Sequence, residues 1–116
     1  MIVESSGTIF AAGPGRPNSS ATFPLACVTL SGRWLCAFRG APAKVSNAGQ
    51  QVYLTWSDDC GATWCEPYSP FTPPSVDGKP GLFRFAGLTR LKGGRLLAAI
   101  NWVDFSDPEA PYFNDE

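Results

Sequence analysis

The chain has 116 residues, 44% hydrophobic and 16% charged, with a formal net charge of −1, a balance ordinary for one modest globular domain and unlike that of a disordered segment. Nine Lys and Arg face ten Asp and Glu with no basic run, so electrostatic binding of nucleic acid or an acidic membrane has no source. Histidine is absent and the four cysteines form no C-x-x-C pair, which excludes Ser/His and Cys/His nucleophilic machinery from this stretch, leaves too few ligands for a zinc site and implies no metal or cofactor.

No apolar run approaches the ~18 residues of a membrane span, and Glu4 interrupts the N-terminal apolar residues before a signal-peptide core can form. In chain order, Ile2-Val3 and Thr8-Ile9-Phe10 predict two short extended pieces around Ser5-Ser6-Gly7. Residues 11–20, with Gly13, Pro14, Gly15 and Pro17, predict a loop holding a solvated Arg16.

From Ala21 onward, Leu25–Leu30 and Trp34–Phe38 read as apolar strands flanking Ser31-Gly32. A two-residue turn there predicts Thr29 opposite Trp34, Val28 opposite Leu35 and Cys27 opposite Cys36. A Cys27–Cys36 disulfide is geometrically open to such a pair, and buried free thiols are the plainer alternative; the spacing leaves the state of Cys60 and Cys65 open as well. Near-continuous apolar character predicts that both sheet faces are covered. Residues 41–49 form a Pro/Gly-marked loop, after which Gln51–Trp56 is a third strand rich in β-branched and aromatic residues.

That strand leads into Ser57-Asp58-Asp59-Cys60-Gly61-Ala62-Thr63-Trp64, an S-x-D-x-G-x-T-W pattern, with Cys65-Glu66-Pro67 opening a further strand that proline ends. Each fixed residue has a physical task in a compact turn. Ser57 and Asp59 accept hydrogen bonds from backbone N–H groups, Gly61 takes positive φ, and Trp64 lays its ring over the turn. The pattern resembles the Asp box, or BNR repeat, of the sialidase family, and all five fixed positions, Ser57, Asp59, Gly61, Thr63 and Trp64, are present. What the resemblance implies is a six-bladed β-propeller of four-stranded blades, with the Asp box at the turn between a blade's third and fourth strands. The expected role of these five residues is structural. It implies fold more firmly than activity.

Pro70, Pro73, Pro74, Gly78 and Pro80 mark a crossing loop. Beyond it, Gly87–Leu91 and Arg95–Trp102 flank Lys92-Gly93-Gly94 as a second hairpin of the first one's design. Gly32-Arg33-Trp34-Leu35-Cys36-Ala37 and Gly94-Arg95-Leu96-Leu97-Ala98-Ala99 match at Gly, Arg, Leu and Ala with an offset of 62. Two copies of strand, glycine turn, strand support a repeat architecture without reference to the Asp box. The expectation is all-β. A blade takes roughly 40–60 residues, so the chain holds about two, the first over about 21–68 and the second from about 81; it reads as an N-terminal piece of a longer propeller whose other blades are its partners.

In sialidases three arginines hold the substrate carboxylate, an aspartate is the acid/base, and a tyrosine paired with a glutamate is the nucleophile. The family's R-I-P stretch corresponds here to Thr22-Phe23-Pro24, which keeps the proline and lacks the arginine. The resemblance carries the second arginine onto Arg39, whose fork of N–H donors suits a carboxylate; an exposed arginine at a strand end, paired with nothing, is the plain alternative. Residues 40–51 contain no Asp or Glu, and Lys44 stands where the family's acid follows. Asp104 and Asp107 fall at Arg39's end of the sheet, as a carboxylate pair for a polar ligand or as solvated loop residues. The functional expectation is therefore a sialidase-like propeller segment acting on or binding a sialoside or other glycoside through Arg39, or else a non-catalytic Asp-box propeller that binds carbohydrate or protein.

Overall fold

The computed structural model describes residues 2–3, 6–14 and 18–112. The chain folds into β1 (Ser20–Val28), β2 (Trp34–Ala41), β3 (Gln51–Ser57), β4 (Gly81–Arg90) and β5 (Leu96–Asp104). All pairing is antiparallel, in a three-stranded sheet ordered β1-β2-β3 and a two-stranded sheet of β4 and β5. The fold is all-β, and no α-helix occurs among the described residues. Arg16 and residues 113–116 lie outside the described residues.

The first hairpin corrects the two-residue turn expected from Ser31-Gly32. Thr29 N–H donates to the carbonyl of Arg33 at 2.9 Å and Gly32 N–H to that of Thr29 at 3.2 Å, so the loop is the three residues Leu30-Ser31-Gly32. The physical reason is Gly32, whose φ of 86° supplies the left-handed residue that closes such a loop. One extra loop residue shifts the register by one: Cys27 faces Leu35 and Cys36 faces Ala26. The two cysteines are not opposite one another, and all four cysteines are free thiols.

The second hairpin is built the same way. Leu91 N–H bonds Arg95 O at 2.8 Å, Gly94 N–H bonds Leu91 O at 3.2 Å, and Gly94 has φ 82°. Both hairpins carry a bulge near the same place, between Thr22 and Leu25 in β1 and between Phe83 and Ala86 in β4. The rings of Phe23 and Phe85, equivalent under the offset of 62, meet at 6.1 Å. An extra residue in one strand of a pair lets Phe83 and Ala86, three apart, turn toward the same core.

The sheets pack face to face through β4. Ala37, Val52 and Ala86 form the buried centre, with Leu54, Phe71, Phe83, Leu88 and Ile100 packed against it. The cross-strand row Thr22, Arg39, Val52 lies on this inter-sheet face one step beyond the row Leu25, Ala37, Leu54. On the outer face Phe38 stacks on Tyr53 at 5.7 Å and Phe10 on Phe38 at 5.2 Å. That contact replaces the strand expected at Thr8–Phe10: neither it nor Ile2-Val3 pairs with a sheet edge, and the first strand begins at Ser20.

The expectation that both faces are covered holds for β2, buried from Cys36 to Ala41, and fails for β1 and β5, where Leu25, Val28, Leu96 and Leu97 are exposed. The two sheets cover one face of each other, and on the outer face of the first sheet Phe10 covers Phe38. The Cα radius of gyration is accordingly 15.7 Å, against about 13 Å for a compact domain of this length.

Candidate functional site

The register sends two kinds of chemistry to opposite ends of the first sheet. Ser57 closes β3 beside Trp34, while Arg39 lies opposite Val52 near the strand's start. Strand rise puts roughly 20 Å between the ends of a seven-residue strand.

At the first end, residues 57–64 are held by their own side chains. Buried Ser57 donates to Asp59 Oδ1 at 2.7 Å, and its hydroxyl oxygen accepts from Gly61 N–H at 2.8 Å and Asp59 N–H at 3.3 Å. Asp59 also accepts from Thr63 N–H at 2.8 Å and Thr63 Oγ1–H at 2.6 Å. Three donors on one carboxylate, led by the Thr63 hydroxyl, hold the Asp59 carboxyl down to about 2. Gly61 has φ 88°, and a Cβ there would sit 3.1 Å from the Trp34 ring. Trp64 reaches back over the turn, its Nε1–H donating to Gly61 O at 3.2 Å.

Beyond the loop, Tyr68 exchanges two backbone bonds with Leu54, at 2.8 and 3.0 Å, so the chain returns alongside β3. Thr55 Oγ1–H and the Cys65 carbonyl close the neck at 2.7 Å. Outside it, Arg33 grips Asp58 with Nε at 2.7 Å and Nη2 at 2.8 Å while lying over Trp56; the bond raises the Arg33 pKa and lowers that of Asp58. With its polar atoms bonded to its own backbone and to one another, this loop is a fastening.

At the other end Arg39 is fully buried, which corrects the reading of it as an exposed, unpaired strand-end residue. The physical reason is its place on the inter-sheet face, where loop 42–50 closes over it. Its Nε–H donates to Gln50 Oε1 at 2.7 Å, Nη1–H to Lys44 O at 3.1 Å, and Nη2–H to Ser46 O. Burial, chiefly, and the nearby Arg84 charge lower its pKa. Arg84 donates from Nη2 to Asn47 Oδ1 at 3.1 Å, and Asn47 Nδ2 donates to Ala110 O at 3.1 Å. The guanidinium carbons of Arg39 and Arg84 lie 5.0 and 4.3 Å from the ring centre of Tyr112.

Lys44 contributes only its carbonyl to this cluster, with its own side chain exposed. Asp104 accepts from Ser106 Oγ at 2.6 Å and Ser106 N–H at 2.8 Å and pairs with Lys79 Nζ at 2.9 Å. These partners, Ser106 first, hold it down to about 2, so it is an anion at neutral pH with no proton to donate. Asp107 accepts from Glu109 N–H at 3.0 Å within a tight turn. No group of three or more metal-ligating side chains occurs among the described residues.

Sequence reasoning missed Asn47, Gln50, Arg84 and Tyr112. For Arg84 a signal existed: the offset of 62 sets it at the position of Thr22, where the family pattern has its missing arginine. Gln50 gave none, because its role depends on how loop 42–50 folds over Arg39. Comparison with family models, with curated proteins and with solved structures found no match to the chain.

Proposed function

We propose that the chain is part of a sialidase-like Asp-box propeller that binds a glycoside at its Arg39 end without hydrolysing it. The observation that carries the reading is the recurrence of one hairpin, with the same three-residue loop and a bulge at nearly the same place, 62 residues apart. Recurrence at that spacing is the mark of a repeat architecture. Support comes also from the loop of residues 57–64, which connects β3 to the returning segment at Tyr68, where the resemblance sets an Asp box between third and fourth strands.

Binding without hydrolysis is favoured by the state of the carboxylates. Glycoside cleavage by the paired-carboxylate route needs a protonated acid beside the scissile oxygen. Asp104 is ionised and fully engaged, Asp107 is spent on a turn, and no carboxylate pairs with Arg39 among the described residues. Saturation-transfer NMR of the chain with sialyllactose and with lactose tests the binding, and a fluorogenic sialoside tests the chemistry. Saturable transfer without released fluorophore is expected. Turnover that Arg39→Ala abolishes overturns the non-hydrolytic reading, and absence of transfer to either sugar overturns the glycoside.

A further inference from the structure

The two hairpins share a register, so the offset of 62 says which face of one sheet corresponds to which face of the other. Leu88 opposite Ala98 and Gly87 opposite Ala99 recur as Ala26 opposite Cys36 and Leu25 opposite Ala37. The second sheet meets the first through Phe83, Ala86, Leu88 and Ile100. Their counterparts Ala21, Pro24, Ala26 and Phe38 lie on the outer face of the first sheet. The first sheet receives the second through Ala37, whose counterpart Ala99 alternates with Ile100 and so lies on the far face of the second sheet. The packing is therefore head to tail: unlike faces meet, and one face of each kind is left over.

Neither leftover face is finished for water, although repeat arrays close their ends with polar caps. On the outer face of the first sheet Pro24 is exposed, whereas its counterpart Ala86 is fully buried. A cleft of about 220 Å³ lies there among Ile9, Phe10, Ala21, Pro24 and Phe38. Ile9 is the counterpart of Phe71, which packs edge-on against Phe83 in the contact between the sheets. Residues 9–10 thus complete this face as residues 71–72 complete that of the second sheet. On the far face of the second sheet Ala99 is exposed and Leu97 is 51% exposed, whereas their counterparts Ala37 and Leu35 are fully and partly buried.

We infer that the occupant of each leftover face is a second copy of this chain, the outer face of one copy's first sheet docking on the far face of the next copy's second sheet. Each copy carries both halves of an interface whose equivalent is already formed inside the chain, so the pairing needs no partner of other chemistry. Removing apolar surface from water on both sides drives it. An interface between unlike faces propagates from copy to copy until the rotation closes a ring. With two sheets per copy, a six-bladed propeller closes with three copies. The number three rests on the six-bladed reading; the pairing of faces rests on the repeat alone.

Native mass spectrometry of the full chain over a dilution series tests this, and the wild-type chain should give three times the 12.4 kDa chain mass. Ala26→Arg sets an unpaired charge on the outer face and Ala99→Arg sets one on the far face, both at exposed strand positions. Each variant alone should be monomeric. Their equal mixture should give twice the chain mass, because one blocked outer face and one blocked far face leave a single intact junction; that dimer also shows both variants to be folded. A wild-type monomer throughout the series overturns the inference, and so does an assembly that only one of the two substitutions breaks, or a mixture that stays monomeric. A mixture that dimerises beside a wild-type assembly of any size other than three upholds the pairing of faces and overturns the six-bladed reading. Three copies with no transfer to either sugar uphold the ring and remove the glycoside.

Discussion

Removing one hydroxyl, in Ser57→Ala, asks how much of the fold hangs on the loop of residues 57–64. Ser57 is 1% exposed, and its oxygen joins Gly61 N–H at 2.8 Å, Asp59 N–H at 3.3 Å and the Asp59 carboxylate at 2.7 Å. A neutral hydrogen bond contributes about 0.5–1.5 kcal/mol and one to a charged group about 1.5–3. The three share one atom and are not additive, and water recovers part of the loss at the exposed Asp59 carboxylate, so a net loss of about 2 kcal/mol follows. With an unfolding entropy of ~2.1 cal/mol/K per residue, a chain of 116 residues should lose about 8 °C in Tm. Thermal unfolding followed by tryptophan fluorescence reads this, since Trp34 and Trp64 flank Gly61. Asp58→Ala is the control: it removes a solvent-exposed ion pair to Arg33, a class of contact of small net worth. A Ser57→Ala shift no larger than the Asp58→Ala shift would refute the reasoning.

Acid should act through Asp59 and Asp104, whose folded pKa values of about 2 lie below the ordinary 3.8. Depressed carboxyl pKa values add stability that is complete above the unfolded pKa and is lost as pH falls through the folded one, so stability should stay level down to about pH 4 and drop between there and pH 2. Asp59→Asn should be less stable at neutral pH and show a shallower acid drop, measured as Tm against pH. Thiol reactivity should follow exposure: a maleimide should label exposed Cys60 first, and buried Cys36, whose thiol pKa burial raises, only on unfolding. Mass spectrometry of partly labelled chain reads the order, and early labelling of Cys36 would contradict the packing of β2.

Local chemistry was legible in the sequence where short-range geometry decides it. The S-x-D-x-G-x-T-W loop closes through bonds spanning two to four residues, so its residue types announce its shape. The hairpins were legible as pairs of apolar runs, but their register turned on one left-handed glycine: Ser31-Gly32 suits a two-residue turn equally well on paper, and φ at Gly32 decides for three. Nor could Arg39 be judged from its neighbours along the strand, because its partners come from a loop five to eleven residues on. Arg84 meets Asn47 across 37 residues, a contact that only the docking of the second sheet on the first creates.

The pairing scheme also bears on how the chain finds its fold. Within each sheet every strand bonds to its neighbour in sequence, and the β1–β2 and β4–β5 hairpins each close through a loop of three residues, so little loop entropy opposes the first contacts. The hairpins can therefore zip on the microsecond scale as independent nuclei, each with its own left-handed glycine setting the alignment before any long-range contact exists. Docking of the two sheets, which brings Phe23 to Phe85 and Asn47 to Arg84, is then the slow step. Substitutions confined to the inter-sheet face should slow folding, and those in the hairpin loops should change which alignment arrives at that step.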